Sequence, residues 1–533
     1  MPKNKGAGRR GGSGAPPRGC HAFACESMSP TTMLSQRRES MAPRPRCSSP
    51  PESDRMKTYF LNPTLRTRRK FIREGRCMQR ASSWATVWPP LSLATLAAIA
   101  ERFGPVRLLD GNVESLSLDD VLADIRAEQP DLVVVAAGFP SIDDDMAVAG
   151  AVKEAFPAVK VLGFGVYFTL LGTESLADYP LMDYAIAGEP EETLEELLGA
   201  LAAGKADVAG IRGLLVRTPA GVRATEPRPL LGDLDRLPFP DRGLLRNDRY
   251  VLPHNGKPFT LIQTGRGCPY ACTYCIVDAY YGRRVRKHSV DYVVREVDEC
   301  IHKYNIDEIL FWEEVFTLDK KYALAVCEEI VRRRLPVHWA ATTRVTAVDA
   351  EVLAAMKRAG CYLLGLGVES ASQAVLDAAR KRQTPDDARH AVQLCREAGI
   401  QTMGHFIFGL PGETRETARR TIRYMLGLGL DYMQCYCAVP YPGTELGRLA
   451  REKGWIKAER WSQYDFGGDS IMNTDALAAE EVTRFRRQAF RRFYFRPIYL
   501  ARHLLGKVPL RQWLRLAAFR DWMAGGAKEG DDR

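Results

Sequence analysis

Short apolar runs alternate with amphipathic segments along most of the chain, beginning close to residue 56. The amphipathic segments repeat apolar residues at helical spacing, whereas the apolar runs contain few polar positions. A strand that is buried on both faces has no polar side, so this rhythm is typical of parallel sheets covered by helices. In the first half, the pattern predicts strands at 58–63, 106–111, 131–138 and 159–165, helices at 89–104, 117–129 and 146–156, and a strand–helix unit at 182–201.

A second series of the same kind follows a proline-rich segment at 231–242. Its six strand–helix repeats cover about 180 residues, which is too short for a complete eightfold barrel of about 250 residues and predicts a partial barrel. Active sites of such barrels lie at the carboxyl ends of the strands. The predicted strands are 259–265, 308–313, 337–342, 362–369, 401–409 and 431–440, with helices that include 319–333, 349–359, 385–398 and 414–428.

The predicted fold is therefore α/β, with a doubly wound (flavodoxin-like) first domain, a partial (β/α)6 barrel and a helical C-terminal cap. The first 55 residues are rich in Gly, Pro, Ser and Arg and have little to bury, so we expect them to be disordered. Met56 directly precedes the first predicted strand, which makes it a candidate start of the natural chain. The expected parts are a disordered extension (1–55), the doubly wound domain (56–230), a linker (231–258), the barrel (259–460) and a helical C-terminal region (461–533).

The formal net charge of the 533 residues is +10, but the basic residues are concentrated at the two ends of the chain. Residues 1–55 carry a net charge of +6 and residues 484–520 carry +11, which leaves the remaining body at −7. This body is mildly acidic and contains no recognised nucleic-acid motif, so we expect no nucleic acid among the partners.

The pattern also bears on localisation. No apolar run reaches the length of a membrane span, and the N-terminus has no apolar signal core. Thirteen cysteines without paired spacing fit a reducing compartment, so we expect a cytoplasmic protein.

The basic, aromatic segment at 484–523 has two interpretations. It forms either a helical cap on the barrel with solvated arginines, or an amphipathic helix in peripheral contact with the inner face of the membrane.

Three cysteines, Cys268, Cys272 and Cys275, lie on one short loop directly after the first predicted barrel strand. Three thiolates in this spacing suit an iron–sulfur cluster or a zinc ion. They suit a disulfide poorly, because three is an odd number and no fourth cysteine is nearby. A zinc site needs a fourth ligand, and the nearest histidine, His288, lies well beyond the loop.

The loop has an aromatic residue, Tyr274, before its third cysteine, and this CxxxCxxC pattern resembles that of the radical S-adenosylmethionine (SAM) superfamily. The resemblance extends over about residues 259–445. It implies a [4Fe–4S] cluster whose open iron binds the amino and carboxylate groups of SAM, with Cys268, Cys272 and Cys275 as protein ligands. Reduction of the cluster then cleaves SAM to a 5′-deoxyadenosyl radical. A reductant such as flavodoxin or ferredoxin is the implied partner.

The same resemblance implies SAM-binding residues at later strand ends. "FWEEVFT" (311–317) matches the pattern after the second strand, and "HFIFGLPGET" (405–414) resembles the motif of the fifth strand. His405 stands where the family often has glycine, which is a departure from that motif. The implied residues are Glu314 for the SAM ammonium, Glu369 for the ribose or methionine part, Ile407 for the adenine and Gly409 for a close approach of the backbone.

A doubly wound domain ahead of such a barrel resembles the layout of cobalamin-binding radical SAM enzymes. The loop "LLDGNVESLS" (108–117) stands where related domains carry the histidine that ligates cobalt, and here Asn112 takes its place. The resemblance implies cobalamin contacts at Asp110, Asn112, Gly163 and Gly165, without a protein histidine on the metal. The alternative is a domain that has the fold and binds no cofactor.

These resemblances favour one function and leave two alternatives. The favoured function is methylation of an unactivated carbon of a small molecule such as a lipid, a tetrapyrrole or another natural product. The first alternative is an oxidative cyclase or rearrangement enzyme, as in anaerobic magnesium-protoporphyrin monomethyl ester cyclase. The second is a non-catalytic zinc or iron–sulfur module.

Overall fold

The computed structural model describes residues 55–64, 70–80, 87–497 and 499. The predicted extension at 1–54 and most of the basic C-terminal segment lie outside this part of the chain. The described strands are β1 (Thr58–Asn62), β2 (Phe71–Glu74), β3 (Cys77–Arg80), β4 (Val106–Asp110), β5 (Leu132–Ala136), β6 (Lys160–Phe164), β7 (Tyr184–Ile186), β8 (Leu214–Thr218), β9 (Gly221–Ala224), β10 (Phe259–Gln263), β11 (Gly265–Arg266), β12 (Arg286–Lys287), β13 (Glu308–Trp312), β14 (His338–Arg344), β15 (Cys361–Glu369), β16 (Gln401–Phe408) and β17 (Tyr432–Cys437).

Several of the helices begin at residues suited to capping. Ser117 and Thr384, for example, each form a reciprocal capping box with the aspartate three residues later. The described α-helices are α1 (Leu91–Ala100), α2 (Gly111–Glu114), α3 (Leu118–Glu128), α4 (Ile142–Ala155), α5 (Val166–Leu171), α6 (Thr173–Ala177), α7 (Glu191–Ala202), α8 (Val277–Tyr281), α9 (Val290–His302), α10 (Lys320–Arg333), α11 (Ala350–Arg358), α12 (Gln373–Ala378), α13 (Pro385–Glu397), α14 (Arg415–Gly427), α15 (Glu445–Glu452) and α16 (Ala479–Tyr494).

The first sheet has seven strands in the order β4-β1-β5-β6-β7-β8-β9. The pairs from β4 to β7 are parallel, and β8 and β9 extend the sheet in antiparallel fashion. The parallel part has the doubly wound order in which the direction of strand addition reverses between β1 and β5. Ligands of such sheets bind at the carboxyl ends of the strands beside this reversal.

The second sheet has six strands in the order β10-β13-β14-β15-β16-β17, all parallel. Strand order follows chain order, as expected for a barrel that winds in one direction. Helices α9, α10, α11, α13 and α14 lie between successive strands. The fold class predicted from the sequence is therefore confirmed: an α/β chain with a doubly wound domain, a six-stranded partial barrel and a helical cap.

The C-terminal helix α16 is the cap, and it packs on the last barrel strands. Ala489 and Phe493, four residues apart on one face of the helix, are fully buried. The Tyr494 hydroxyl donates to the carbonyl of Met433 at 2.6 Å, which ties the helix to β17. In the described part, this favours the cap over the membrane-surface interpretation. No helix among the described residues is both long and apolar enough to cross a membrane.

The first domain and the barrel share an apolar core, which we call the domain seam. On the first-domain side lie Phe139 and Tyr167, and on the barrel side lie Tyr280, Tyr441 and Tyr464. The ring of Phe139 is 5.3 Å from that of Tyr441 between centroids, in an edge-to-face arrangement. Because the seam is apolar and continuous, it favours one fixed relation between the two domains.

Two features were not predicted. Strands β2 and β3 form a hairpin at 71–80 that leaves the first sheet and packs against the barrel. Its residues Ile72 and Cys77 contact Leu261 and Trp312 of the barrel. The predicted linker at 231–258 is also packed rather than loose, since Leu234 and Tyr250 belong to the core of the first domain.

The linker is joined to the barrel by a buried ion pair, which generates a prediction. Arg242 Nη2 lies 2.6 Å from Glu296 Oε1, with side chains 0% and 3% exposed. Glu296→Ala leaves the guanidinium buried without its partner, which costs about 3–5 kcal/mol. Chemical denaturation should show this loss in the free energy of unfolding.

The matched control is Asp291→Ala on the same helix, α9. Asp291 pairs with Arg295 at the surface, and exposed pairs contribute little. We therefore expect only a small change in the free energy of unfolding. Equal losses in the two variants would contradict the role assigned to the buried pair.

Candidate functional site

The cysteine loop is closed at its base by a two-stranded ladder. Strands β11 and β12 pair so that Arg266 lies opposite Arg286. Gly267 follows with a φ of +91°, and a Cβ there would lie 2.3 Å from the carbonyl oxygen of Arg284. Only glycine allows both this conformation and this approach, so the loop is tightly framed before its first cysteine.

Two carboxylates from the first domain neutralise the paired arginines, and we call this group the carboxylate clamp. Both oxygens of Glu189 lie 2.8 Å from Arg286 Nη1, and Glu189 Oε1 lies 3.2 Å from Arg266 Nη1. Glu191 Oε1 accepts from Arg266 Nη2 at 2.5 Å. The four side chains are between 3% and 7% exposed. Two buried guanidiniums facing each other require such partners.

The three cysteines of the loop are all free, and each is partly exposed. Burial raises the pKa of the Cys268 thiol and raises that of Cys275 to about 12. A guanidinium nitrogen of Arg344 lies 3.8 Å from Cys272 Sγ. Thiolates at these positions therefore need a cation to stabilise them, which iron ions supply. The donor set, three thiols on one loop, fits a cluster with three cysteinyl ligands.

The candidate fourth ligand of a zinc site is committed elsewhere. His288 Nδ1 lies 3.1 Å from Asp235 Oδ1, and its ring stacks on Tyr292 with centroids 4.0 Å apart. Burial lowers the pKa of His288 to about 4. Among the described residues, no three His, Cys, Asp or Glu side chains converge as they would around a single metal ion. His288, the histidine nearest to the loop, is therefore not free to act as the fourth ligand of a zinc site.

The two acids after β13 have different environments. Glu313 is fully engaged, because it lies 2.7 Å from Lys287 Nζ and accepts from the Thr264 hydroxyl at 2.7 Å. Glu314 Oε2 is buried and has no hydrogen-bond partner in the described structure. Burial raises the pKa of Glu314 to about 7. An unpaired buried carboxylate oxygen suits a cationic ligand, as predicted for the SAM ammonium.

Sequence reasoning missed Arg76, which the hairpin β2–β3 brings to the same place. Arg76 Nε lies 3.5 Å from Glu314 Oε1, and Nη2 lies 3.5 Å from the carbonyl oxygen of Glu313. The guanidinium carbon lies 4.6 Å from the centre of the Trp312 ring. The only signal in the sequence was Gly75, between two short segments of strand character.

The predicted residue Glu369 forms a buried ion pair at the end of β15. Lys381 Nζ lies 2.5 Å from Glu369 Oε1 and 3.4 Å from the Tyr274 hydroxyl. Glu369 has a φ of +65°, which is unusual for a glutamate. The strand end is thereby joined to the cysteine loop, and the carboxylate already has one cationic partner.

The structure gives Ile407 and Gly409 different surroundings. Ile407 packs in a small cluster with Tyr274 of the cysteine loop. A Cβ on Gly409 would lie 2.9 Å from Val482 of α16, so this glycine makes room for the C-terminal cap. At Gly409, it is therefore the protein's own helix α16 that approaches the backbone closely.

A histidine and a tyrosine face the barrel interior next to these residues. His405 Nδ1 lies 3.2 Å from the Tyr436 hydroxyl, while its Nε2 has no partner in the described structure. Burial lowers the pKa of His405 to about 4, so the imidazole is neutral at pH 7. Gly365 provides the space, since a Cβ there would lie 3.0 Å from His405 Nε2.

The predicted cobalamin residues Asp110 and Asn112 have partners inside the protein. Asp110 accepts from the Val113 amide at 2.9 Å and from the Tyr250 hydroxyl at 2.8 Å. Asn112 accepts from the Phe71 amide at 3.2 Å and donates to the Phe71 carbonyl at 3.0 Å. The side chain at the expected histidine position therefore anchors the hairpin.

The two predicted glycines also differ. A Cβ on Gly163 would lie 2.5 Å from the Phe168 ring, so its small size serves packing within the first domain. The cobalamin contact at Gly163 stays a prediction. Gly165 has a φ of +132°, and a Cβ there would lie 2.2 Å from the carbonyl oxygen of Ala137. It also lines a small cavity at the carboxyl edge of the first sheet. Ala136 and Ala137 line it too, as does Tyr280 of the barrel. Small residues at this edge fit a ligand that approaches the backbone closely.

Comparisons with known proteins decide the family. A model of the radical SAM superfamily matches residues 262–425, and a model of the B12 binding domain matches residues 81–198. An uncharacterized methyltransferase from Pyrococcus horikoshii is 34% identical over 419 residues, which cover 79% of this chain and 90% of that protein. The chain belongs to the cobalamin-binding branch of the radical SAM superfamily. It is an enzyme, and its cofactors are those predicted: a [4Fe–4S] cluster, SAM and cobalamin.

Two further similarities concern function and fold. The anaerobic magnesium-protoporphyrin IX monomethyl ester cyclase of Rubrivivax gelatinosus is 29% identical over 78% of this chain and 75% of that protein. The structure of TsrM, a radical SAM methyltransferase from Kitasatospora setae with cobalamin and a [4Fe–4S] cluster bound, has a TM-score of 0.64. The two chains are 20% identical, and the match covers 83% of this chain and 90% of the TsrM chain. At this identity, the similarity supports the two-domain fold.

The cysteine assignment gives a direct prediction. Replacing Cys268, Cys272 and Cys275 together by alanine should abolish both the cluster and reductive cleavage of SAM, because the loop then offers the iron no thiolate. Iron and sulfide content, absorption and release of 5′-deoxyadenosine measure this after anaerobic reconstitution.

The control is the double variant Cys435→Ala, Cys437→Ala, which alters two thiols that are buried in the barrel wall. It should keep its cluster. A triple variant that still holds four irons, or a wild-type protein that retains only zinc, would contradict the assignment.

Proposed function

We propose that this protein is a cobalamin-dependent methyltransferase that methylates an unactivated carbon of a small molecule. The observation that carries the proposal is that the carboxyl edge of the first sheet meets the barrel at the domain seam. Tyr280, five residues after Cys275, lines the same opening as Ala137 and Gly165 of the first sheet. Cys268 and Cys275 also pack against the apolar core shared with the first domain, which supports a substrate space between the predicted cluster loop and the predicted cobalamin edge.

The protein's own residues bind, orient and exclude water in this proposal. When bound, the cluster supplies the electron that cleaves SAM, and cobalamin carries the methyl group to be transferred. Cys268, Cys272 and Cys275 hold the cluster, and Glu314 receives the SAM ammonium. The apolar seam keeps water from the space between the cofactors. Ile407 contributes an apolar wall for the adenine of SAM. Glu369, paired with Lys381, contacts the ribose or methionine part.

We propose that the corrin lies at the opening beside Gly165, below the hairpin. The cavity there is only about 10 Å³, which is about the space that one water molecule needs. Arg73 and Met78 of the hairpin form one of its walls. Accommodating a whole corrin therefore requires this wall to move outward. Asp110 and Asn112 act indirectly, because they position the loop and the hairpin rather than the metal.

We propose an apolar substrate such as a lipid or tetrapyrrole, because aromatic and aliphatic side chains are packed inside the barrel. Trp88 and Trp312 contact edge to face with ring centroids 5.0 Å apart, beside Ile72 and Leu261. On the other side, Tyr436 and Phe466 contact with centroids 5.0 Å apart. Burial of apolar surface is the main driving force that such walls offer to a ligand.

A labelling experiment tests methyl transfer. The reconstituted enzyme with cluster and cobalamin is incubated anaerobically with a reductant, methyl-deuterated SAM, and lipid or tetrapyrrole extracts. We expect one product that gains a single deuterated methyl group. Cys272→Ala should give none, because the radical requires the cluster.

The cyclase relative defines the opposing outcome. A product that forms in a SAM-dependent way without gaining the labelled methyl would contradict methyl transfer and favour oxidative cyclisation or rearrangement. A wild-type protein that cleaves no SAM with cluster in place would favour the non-catalytic module.

The cobalt environment gives a separate prediction. Asn112 is bonded to the hairpin backbone and offers only an amide, a poor donor to cobalt. The cob(II)alamin EPR spectrum of the loaded protein should therefore lack splitting from a histidine nitrogen. Three-line splitting that disappears when one histidine is replaced would overturn this prediction. Failure of the protein to bind cobalamin would leave the first domain without its proposed role.

A further inference from the structure

A guanidinium and a carboxylate from different domains lie side by side next to the cysteine loop. Arg76 belongs to the hairpin of the first domain, and Glu314 follows a barrel strand. Their closest contact, 3.5 Å, is long for an ion pair. Neither Arg76 Nε nor Glu314 Oε2 has a hydrogen-bond partner among the described residues. The free oxygen of Glu314 therefore retains capacity for a cationic ligand, and the long contact between the two groups leaves room for a shorter contact of Arg76 with an anionic one.

The pair is close to the predicted cluster ligands. Burial lowers the pKa of the Arg76 guanidinium, but Glu314 and the nearby cysteine thiolates, including Cys275 and Cys268, outweigh it and leave the pKa raised. The Arg76 side chain is 25% exposed. Its guanidinium lies near the thiols that would hold the cluster.

The charges match those of one chemical group. An α-amino acid carries an ammonium and a carboxylate on the same carbon, so it needs an acid and a base side by side. We propose that Arg76 binds the carboxylate of the methionine part of SAM while Glu314 binds its ammonium, so that the cobalamin domain supplies one residue of the SAM site. This inference rests on the proposed use of SAM and goes beyond it, because it makes the site a joint product of two domains.

Arg344 is the competing arginine, and most of its contacts are made to the cysteine loop and its neighbours. Its Nη1 contacts Cys272 Sγ at 3.8 Å, and its Nη2 donates to the carbonyl oxygens of Lys381 and Arg382. Its Nε has no hydrogen-bond partner among the described residues. Its guanidinium lies 3.8 Å above the Tyr270 ring. Arg344 thus holds the cysteine loop, whereas Arg76 is the arginine that lies beside Glu314.

The experiment compares SAM with decarboxylated SAM on cluster-loaded, cobalamin-free protein. The cluster is kept oxidised, so that binding is measured without cleavage. Arg76→Ala should weaken SAM binding about tenfold or more, because a hydrogen bond to a charged group contributes about 1.5–3 kcal/mol and 1.4 kcal/mol is tenfold. Its affinity for decarboxylated SAM should match that of the wild type. Arg76→Lys, which keeps the cation, should retain most of the SAM affinity.

The matched control is Arg80→Ala, on the same hairpin. Arg80 pairs with Asp465 at 3.2 Å and is 46% exposed, so its loss should change neither affinity. Iron content and circular dichroism confirm that each variant is folded and loaded.

Three results would overturn the inference: no loss of SAM affinity in Arg76→Ala, equal losses for both compounds, or a loss in Arg76→Lys as large as in Arg76→Ala. Equal losses would mean that Arg76 only supports Glu314. Where decarboxylated SAM binds even the wild type too weakly to measure, the comparison between lysine and alanine decides.

These outcomes are distinct from failure of the proposed function. An enzyme that transfers methyl groups with a SAM affinity independent of Arg76 contradicts this inference alone. A protein that shows the carboxylate-specific loss and transfers no methyl group contradicts the proposed function alone.

Discussion

The position of the cysteine loop depends on the carboxylate clamp. Arg266 and Arg286 face each other across the ladder that frames the loop, and both are buried. Without Glu189 and Glu191, the ladder would hold two uncompensated charges, and removing the partner of a buried charge costs about 3–5 kcal/mol. Both carboxylates come from the first domain, after β7. The barrel therefore cannot present its predicted cluster ligands in this geometry unless the first domain is docked, which makes the two domains one catalytic unit.

The hairpin β2–β3 gives the two domains a second connection. At its base, Asn112 bonds to the Phe71 backbone, and Arg73 lies 2.8 Å from Asp145 with both side chains nearly fully buried. At its tip, Arg76 reaches Glu314. The element that forms a wall of the proposed corrin space therefore also contacts the predicted SAM site. Movement of that wall would move Arg76 as well, so occupancy of one site is mechanically linked to the geometry of the other.

The regular architecture was predictable because the spacing of apolar residues in strands and helices shows which of their faces are buried. Most predicted barrel elements agree with the structure to within one or two residues at the start, for example 401–409 against Gln401–Phe408. The hairpin was not predictable, because "FIREGRCMQR" mixes polar and apolar residues, and its burial depends on apolar and charged partners that are distant in sequence. Gly163 and Gly409 were expected to admit cofactors, yet both make room for the protein's own side chains. A sequence shows that a glycine is small and leaves open which neighbour requires it.

The unpaired polar atoms of the site indicate where a ligand completes the structure. Glu314 Oε2 and His405 Nε2 are buried without partners among the described residues, and each such atom costs about 1–3 kcal/mol. Lys287 and Thr264 satisfy the neighbouring Glu313 completely, so the chain is able to pair its buried acids where no ligand is needed. Other buried polar atoms of the described residues are also unpaired, for example Glu413 Oε1 and the Tyr167 hydroxyl, but Glu314 Oε2 and His405 Nε2 lie in the interior of the barrel. A ligand that pairs these two atoms recovers their penalty on binding and stabilises the folded state to the same extent.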